Sequence, residues 1–175
     1  MRLRSPSAEA TFAAGRRLGE ALRDEDAVLG LVGPLGAGKT LFVKGLAAGL
    51  GLDPGVVASP TFVIASEYPL PGGGGRRLVH VDCYRLERVE ELENAGWLDW
   101  LPPGSVVAVE WPDRIAGVLP PEHLRIEITR GGSGDSQRWL NAIASGSGAE
   151  GLLARWRAAV EDSPELEPAA DAPAP

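Results

Sequence analysis

Lysine is nearly absent from this chain. Of 17 basic residues in 175, only Lys39 and Lys44 are lysines, and the rest are arginine. Cysteine is scarcer still. The single Cys83 excludes an internal disulfide framework, fits a reducing compartment, and reads as a small buried filler rather than a nucleophile. His80 and His123 are the only histidines, and without paired ligand spacing they give no support to a structural zinc site. No apolar run approaches the roughly 20 residues of a membrane span. The N-terminus MRLRSPSAEA has no apolar segment of the kind that marks a secretory signal, so a cytoplasmic location away from membranes is expected. Positive charge is also in deficit: a net charge of −7 argues against a broad basic surface for DNA or RNA. Any RNA contact is expected to come mainly through a partner.

What is present is ordinary in amount and specific in pattern. An apolar content of 44% and a charged content of 23% suit a globular chain, long enough for one domain with a sizeable core. Residues 7–23 carry Phe12, Leu18 and Leu22 at helical spacing, with Ser5 or Ser7 as the cap and Pro6 in the first turn. AVLGLV (27–32) reads as a buried strand, and residues 39–50 as a helix stopped by Gly51. Residues 56–68 read as extended chain broken by Pro60. PGGGG (71–75) reads as a turn between antiparallel strands, with the second strand at 77–84. An acidic helix (86–96), a buried strand (105–111), a late hairpin (124–129 with 138–144) and a final helix (149–161) follow. The expected fold is α/β, resembling a P-loop NTPase, with a mainly parallel central sheet, flanking helices and antiparallel edge strands. It occupies residues 1–162. Residues 163–175, SPELEPAADAPAP, read as a disordered tail.

The lysine at position 39 sits in GPLGAGKT (33–40), directly after the buried strand. This is the phosphate-loop pattern, a glycine, four residues, then Gly38-Lys39-Thr40. Small residues let backbone N–H groups turn in around phosphate oxygens, and the following helix aims its positive end at the anion. Lys39 is then the cationic arm for the β and γ phosphates, and the Thr40 hydroxyl a ligand for Mg²⁺.

Two further strands end in carboxylates, LVHVD at Asp82 and VVAVE at Glu110. In a parallel sheet, these ends share the edge that carries the phosphate loop. Asp82, short and fixed, suits the metal. Glu110 reaches further and suits the attacking water. Thr61, in SPT (59–61), is placed to sense the γ-phosphate as switch loops do. Trp111 is read as a wall of the site or a packing residue, and Arg85 and Arg114 as surface cations or phosphate neutralisers. A small-molecule kinase fits the same loop, although PDRIAGVLPPEH (112–123) has one arginine and three prolines where a kinase lid is arginine-rich. A non-catalytic nucleotide switch is a second alternative.

GPLGAGKT, SPTF, HVDCYRL with its EELE helix and AGW, and VEWPDR, in this order, resemble the TsaE family of small bacterial ATPases that serve the threonylcarbamoyl modification of adenosine in tRNA. The resemblance spans about residues 5–145. It implies ATP and Mg²⁺ as ligands, and a TsaD-type and TsaB-type pair as partners, with tRNA reached indirectly through that complex. Carried over by motif, it implies ATP binding by Leu35, and phosphate binding by Gly36, Ala37, Gly38, Lys39 and Thr40. It also implies metal contacts from Thr40, Asp82 and Glu110, catalysis by Lys39 and Glu110, a switch at Thr61, a site edge at Trp111, and contacts to the adenosine end from Thr11 and Arg138. Cys83 departs from the larger apolar residue common in the family, and the tail has no counterpart.

Overall fold

AVLGLV forms strand β2 (Ala27–Val32), buried except at its first residue, and the rest of the architecture is arranged around it. The computed structural model describes residues 1–22, 24–72, 74–131 and 136–169. Among these, a single eight-stranded sheet runs in the order β3-β4-β5-β2-β6-β7-β1-β8. Its members are β1 (Arg2–Ser5), β2, β3 (Ala65–Pro69), β4 (Arg77–Asp82), β5 (Ser105–Glu110), β6 (His123–Arg130), β7 (Arg138–Ser145) and β8 (Glu167–Pro168). The four inner strands β4, β5, β2 and β6 are parallel. The flanking pairs β3/β4, β6/β7, β7/β1 and β1/β8 are antiparallel. The expected parallel centre with antiparallel edges is therefore present, but antiparallel pairings outnumber parallel ones, because the edges reach further than the sequence suggested.

Helices cover both faces. α1 (Ala8–Ala21), α2 (Lys39–Gly49) and α5 (Ser147–Glu161) pack with Leu29, Leu31, Leu78 and Ile126 of the sheet. On the other face, α3 (Val89–Asn94) and α4 (Trp97–Trp100) bury Leu92, Trp97 and Trp100 against Val79, Val81, Val107 and Val109. No helix among the described residues is long and apolar enough to cross a membrane.

Ser7 caps α1, accepting from the Ala10 amide, so Pro6 lies before the helix rather than in its first turn. The chain ahead of it, RLRS, has no apolar run to mark it as a strand. It becomes β1 by pairing with β7, with Leu3 turned into the core. Past Pro60 the chain turns at 61–64, where Ile64 has φ of 71°, and strand geometry begins at Ala65. The expected β3–β4 hairpin forms, with Gly73 of its connection outside the described residues.

α1 and α2 lie in backbone contact. A Cβ on Gly15 would meet the Phe42 carbonyl oxygen at 2.1 Å, and one on Gly45 would meet that of Phe12 at 2.0 Å. Gly19 and Gly49, one turn on in each helix, are packed as closely. This reciprocal glycine pair sets the axis along which α2 presents its N-terminus. Gly45→Ala is expected to destabilise the fold by about 1–3 kcal/mol, the usual cost of overpacking, in a denaturant titration.

The tail reading is corrected for residues 163–169. Ser163 and Leu166 are buried, β8 adds to the open edge of β1, and the Arg4 guanidinium meets the Glu167 carboxylate at 2.7 Å. One leucine and an unpartnered strand edge are enough to dock a segment whose composition is otherwise that of a linker. Residues 170–175 lie outside the described residues. Truncation after residue 162 is expected to cost about 1.5–3 kcal/mol, the value of a buried leucine, read as a lowered melting temperature.

Candidate nucleotide and metal site

The loop between β2 and α2 owes its shape to three glycines. Gly33, Gly36 and Gly38 have φ of 146°, 74° and 106°, a region that strains any residue with a Cβ. At Gly33 a Cβ would also fall 2.1 Å from the Ile128 carbonyl oxygen. Gly38 is the N-cap of α2, so the loop's amides and the helix N-terminus share one cradle. Leu35 stands out at its tip, 73% exposed.

Lys39 is not the surface cation its motif suggests. It is 4% exposed, donates to the carbonyls of Gly33 (2.8 Å) and Pro34 (3.2 Å), and lies 3.5 Å from the centre of the Trp111 ring. Burial lowers its pKa from the usual lysine value, opposed by the carboxylates of Glu110, Asp82 and Asp113. Trp111 holds its place with φ of 60°, unusual for a bulky side chain, and its ring also packs on Tyr84 at 5.0 Å.

Strand register brings the two acids together. Asp82 and Glu110 are opposite one another at the ends of β4 and β5, beside β2. Thr40 donates to Glu110 Oε1 at 2.8 Å. His80 Nε2 lies 2.8 Å from the same oxygen. Asp82 is taken up differently. Its Oδ2 accepts from Thr61 at 2.6 Å and Ser59 at 3.3 Å, and its Oδ1 from the Tyr84 amide at 2.8 Å. The threonine expected to ligate Mg²⁺ sits on Glu110, while both oxygens of Asp82 anchor the 59–61 loop and the start of the next turn.

Other expected site residues are placed around this centre. Leu35 to Thr40, Thr61, Asp82, Glu110 and Trp111 line one cleft, joined by Ser59 and Tyr84. Arg138 reaches the loop from β7, where its guanidinium donates to the carbonyls of Ala37 (2.8 Å) and Gly36 (3.3 Å). Thr11 is buried beneath Gly38, and its hydroxyl is shared with Ser5 at 2.7 Å and the Ser7 carbonyl at 3.3 Å, so it supports the loop from behind. Arg85 donates to the Thr61 carbonyl and covers the Phe62 ring, and Arg114 lies over Tyr84. Cys83 is fully buried; desolvation, with Asp82 and Asp113 nearby, pushes its thiol up to about 12, as suits a filler. His80 was missed. Its signal was present: two residues before Asp82 on a strand, it shares that residue's face.

The oxygen set of Thr40, Glu110 and Asp82 fits Mg²⁺, a hard cation that takes one or two carboxylates and completes its shell with phosphate and water. No group of three or more His, Cys, Asp or Glu side chains among the described residues is gathered so that it could hold a metal ion.

The family model described as "Threonylcarbamoyl adenosine biosynthesis protein TsaE" matches residues 5–139. The chain belongs to the TsaE family. Among TsaE relatives, the Streptomyces coelicolor tRNA threonylcarbamoyladenosine biosynthesis protein TsaE is 43% identical over 83% of this chain and 93% of its own length. The protein of the same name from Bacillus subtilis is 43% identical over 69% and 71%. The crystal structure of Bacillus subtilis YdiB superposes with a TM-score of 0.70 at 34% identity, covering 90% of this chain and 94% of its own. The TsaE match takes in the glycine loop, both acids and Thr61, and ends one residue past Arg138.

Proposed function

We propose that this TsaE-family chain is an ATP hydrolase with the active-site logic of a P-loop NTPase. In this reading it serves the tRNA threonylcarbamoyladenosine biosynthesis for which its relatives are named, by acting on a TsaD–TsaB type pair in the cytoplasm. The observation that carries the reading is the 2.8 Å bond from Thr40, first turn of α2, to Glu110, inside a cleft that also holds Lys39 and Asp82. A glycine cradle, a lysine, a hydroxyl and two carboxylates on one sheet edge are the parts that phosphoryl transfer to water requires.

ATP would enter with its phosphates on the loop amides and the N-terminus of α2. Lys39 would leave the Gly33 and Pro34 carbonyls and the Trp111 face for the β and γ phosphates. Thr40 and Glu110 would hold Mg²⁺, which when bound offsets charge on the phosphate oxygens. Thr61, held by Asp82, is the switch hydroxyl on the γ-phosphate side. Glu110 Oε2 takes no hydrogen bond among the described residues, and it is the acceptor that would orient the attacking water.

Lys39→Ala tests the binding half of this proposal. Loss of a buried charge-assisted donor is expected to weaken ATP by at least tenfold in calorimetry, in line with roughly 1.5–3 kcal/mol for such bonds. Unchanged affinity would overturn the phosphate-loop assignment.

A further inference from the structure

His80 is fully buried on β4, among Leu78, Val79 and Val81, where an apolar side chain would fill the same space. Its Nδ1 has no hydrogen-bond partner and no access to water, a cost that an aliphatic residue at this position would avoid. What the imidazole gains is one bond, Nε2 to Glu110 Oε1 at 2.8 Å. Because a carboxylate only accepts, that nitrogen carries the proton.

The bond has a geometric consequence. Thr40 and His80 converge on the same carboxylate oxygen, filling its two acceptor positions. Oε2 is left as the oxygen available in the cleft. In the hydrolytic reading Thr40 would turn from Glu110 to hold Mg²⁺, whereas His80 is fixed in the sheet between Ser66 and Ala108 in register. We infer that His80 is a positioning residue for Glu110: it pins Oε1 so that Oε2 keeps a constant aim while Thr40 is engaged elsewhere. The inference rests on the hydrolytic reading above. A side chain whose only role was packing would not need Nε2 on Glu110, and any residue of similar volume would replace it.

Two measurements test it. Imidazole ¹⁵N spectra of the nucleotide-free protein are expected to show His80 as the Nε2–H tautomer, with a ring proton protected from exchange, and the protection is expected to vanish in Glu110→Ala. An Nδ1–H tautomer, or protection that survives Glu110→Ala, would overturn the inference without any activity assay. In phosphate release with the partner pair, His80→Phe is expected to lower kcat tenfold or more with KM for ATP within threefold. His80→Gln, which returns an N–H near the Nε2 position, is expected to recover most of that loss, and His80→Asn, whose amide is placed nearer Nδ1, is not. If the wild-type chain turns over and His80→Phe matches it, the positioning role alone falls. If the wild-type chain with its partners releases no phosphate, the hydrolytic reading falls and takes the positioning role with it.

Discussion

Glu110→Gln is expected to lower ATP turnover by about 10²–10⁴-fold, the range for a lost acid–base group, while ATP affinity stays within a few-fold. The substitution keeps the volume and one carbonyl oxygen, so the Thr40 and His80 bonds at 2.8 Å can both persist on that oxygen. What disappears is the charge and, at the Oε2 position, an acceptor: an amide NH₂ there donates and cannot take a proton from water. Fold stability should change little, because the two buried donors remain satisfied. Asp82→Asn serves as the contrast. Its carboxylate is tied to Thr61, Ser59 and the Tyr84 amide, so its loss is expected to loosen the 59–61 loop and to raise KM for ATP as well as to lower kcat. Single-turnover and steady-state phosphate release on both variants separate the roles. A Glu110→Gln enzyme whose defect lies wholly in KM, beside an Asp82→Asn enzyme whose defect lies wholly in kcat, would reverse them.

The placement of these residues was partly legible in the sequence, for local reasons. The glycine loop announces itself because its constraint is covalent and short-range: three positive-φ positions need glycine, and they lie within six residues of one another. Asp82 and Glu110 were legible because each closes an apolar strand. Which of them meets Thr40 was not, since it depends on β5 lying beside β2, a non-local pairing that brings Glu110 to Thr40. His80 required the strand period to be followed two residues back from Asp82. β1 and β8 are four and two residues long, and exist only through partners 130 and more residues away. No local pattern encodes them. The glycines at four-residue spacing in α1 and α2 were visible as composition, but their meaning emerges only when two backbones meet. Lys39 shows the opposite failure. Its motif is unmistakable, yet burial beneath Trp111 cannot be read from GKT, because Trp111 arrives from the far end of β5 in a left-handed conformation.

The isolated chain is expected to hydrolyse ATP slowly, and the TsaD–TsaB type pair to raise the rate by roughly 10³-fold or more, the scale of an arginine supplied in trans in related phosphoryl-transfer enzymes. The motivation is how the chain's own arginines are spent. Arg85 is held by the Thr61 carbonyl and the Phe62 ring, Arg114 by Tyr84, and Arg138 by the carbonyls of Gly36 and Ala37. Arg130 meets the loop at Gly36 rather than at the Thr40–Glu110 end. The surface around the 59–61 loop also looks unfinished: Phe62 is 86% and Val63 66% exposed, beside Thr61. A partner that covers these side chains would fix Thr61 and Asp82 in the same step that completes the charge around the γ-phosphate. Contact and nucleotide are then linked, so ATP tightens the complex by the factor by which the complex tightens ATP. Phosphate release from the chain alone, with each partner and with both, measures the first effect, and calorimetry with and without ATP the second. A rate from the chain alone that equals that of the full mixture would exclude activation by the pair, and equal affinities with and without ATP would exclude the coupling.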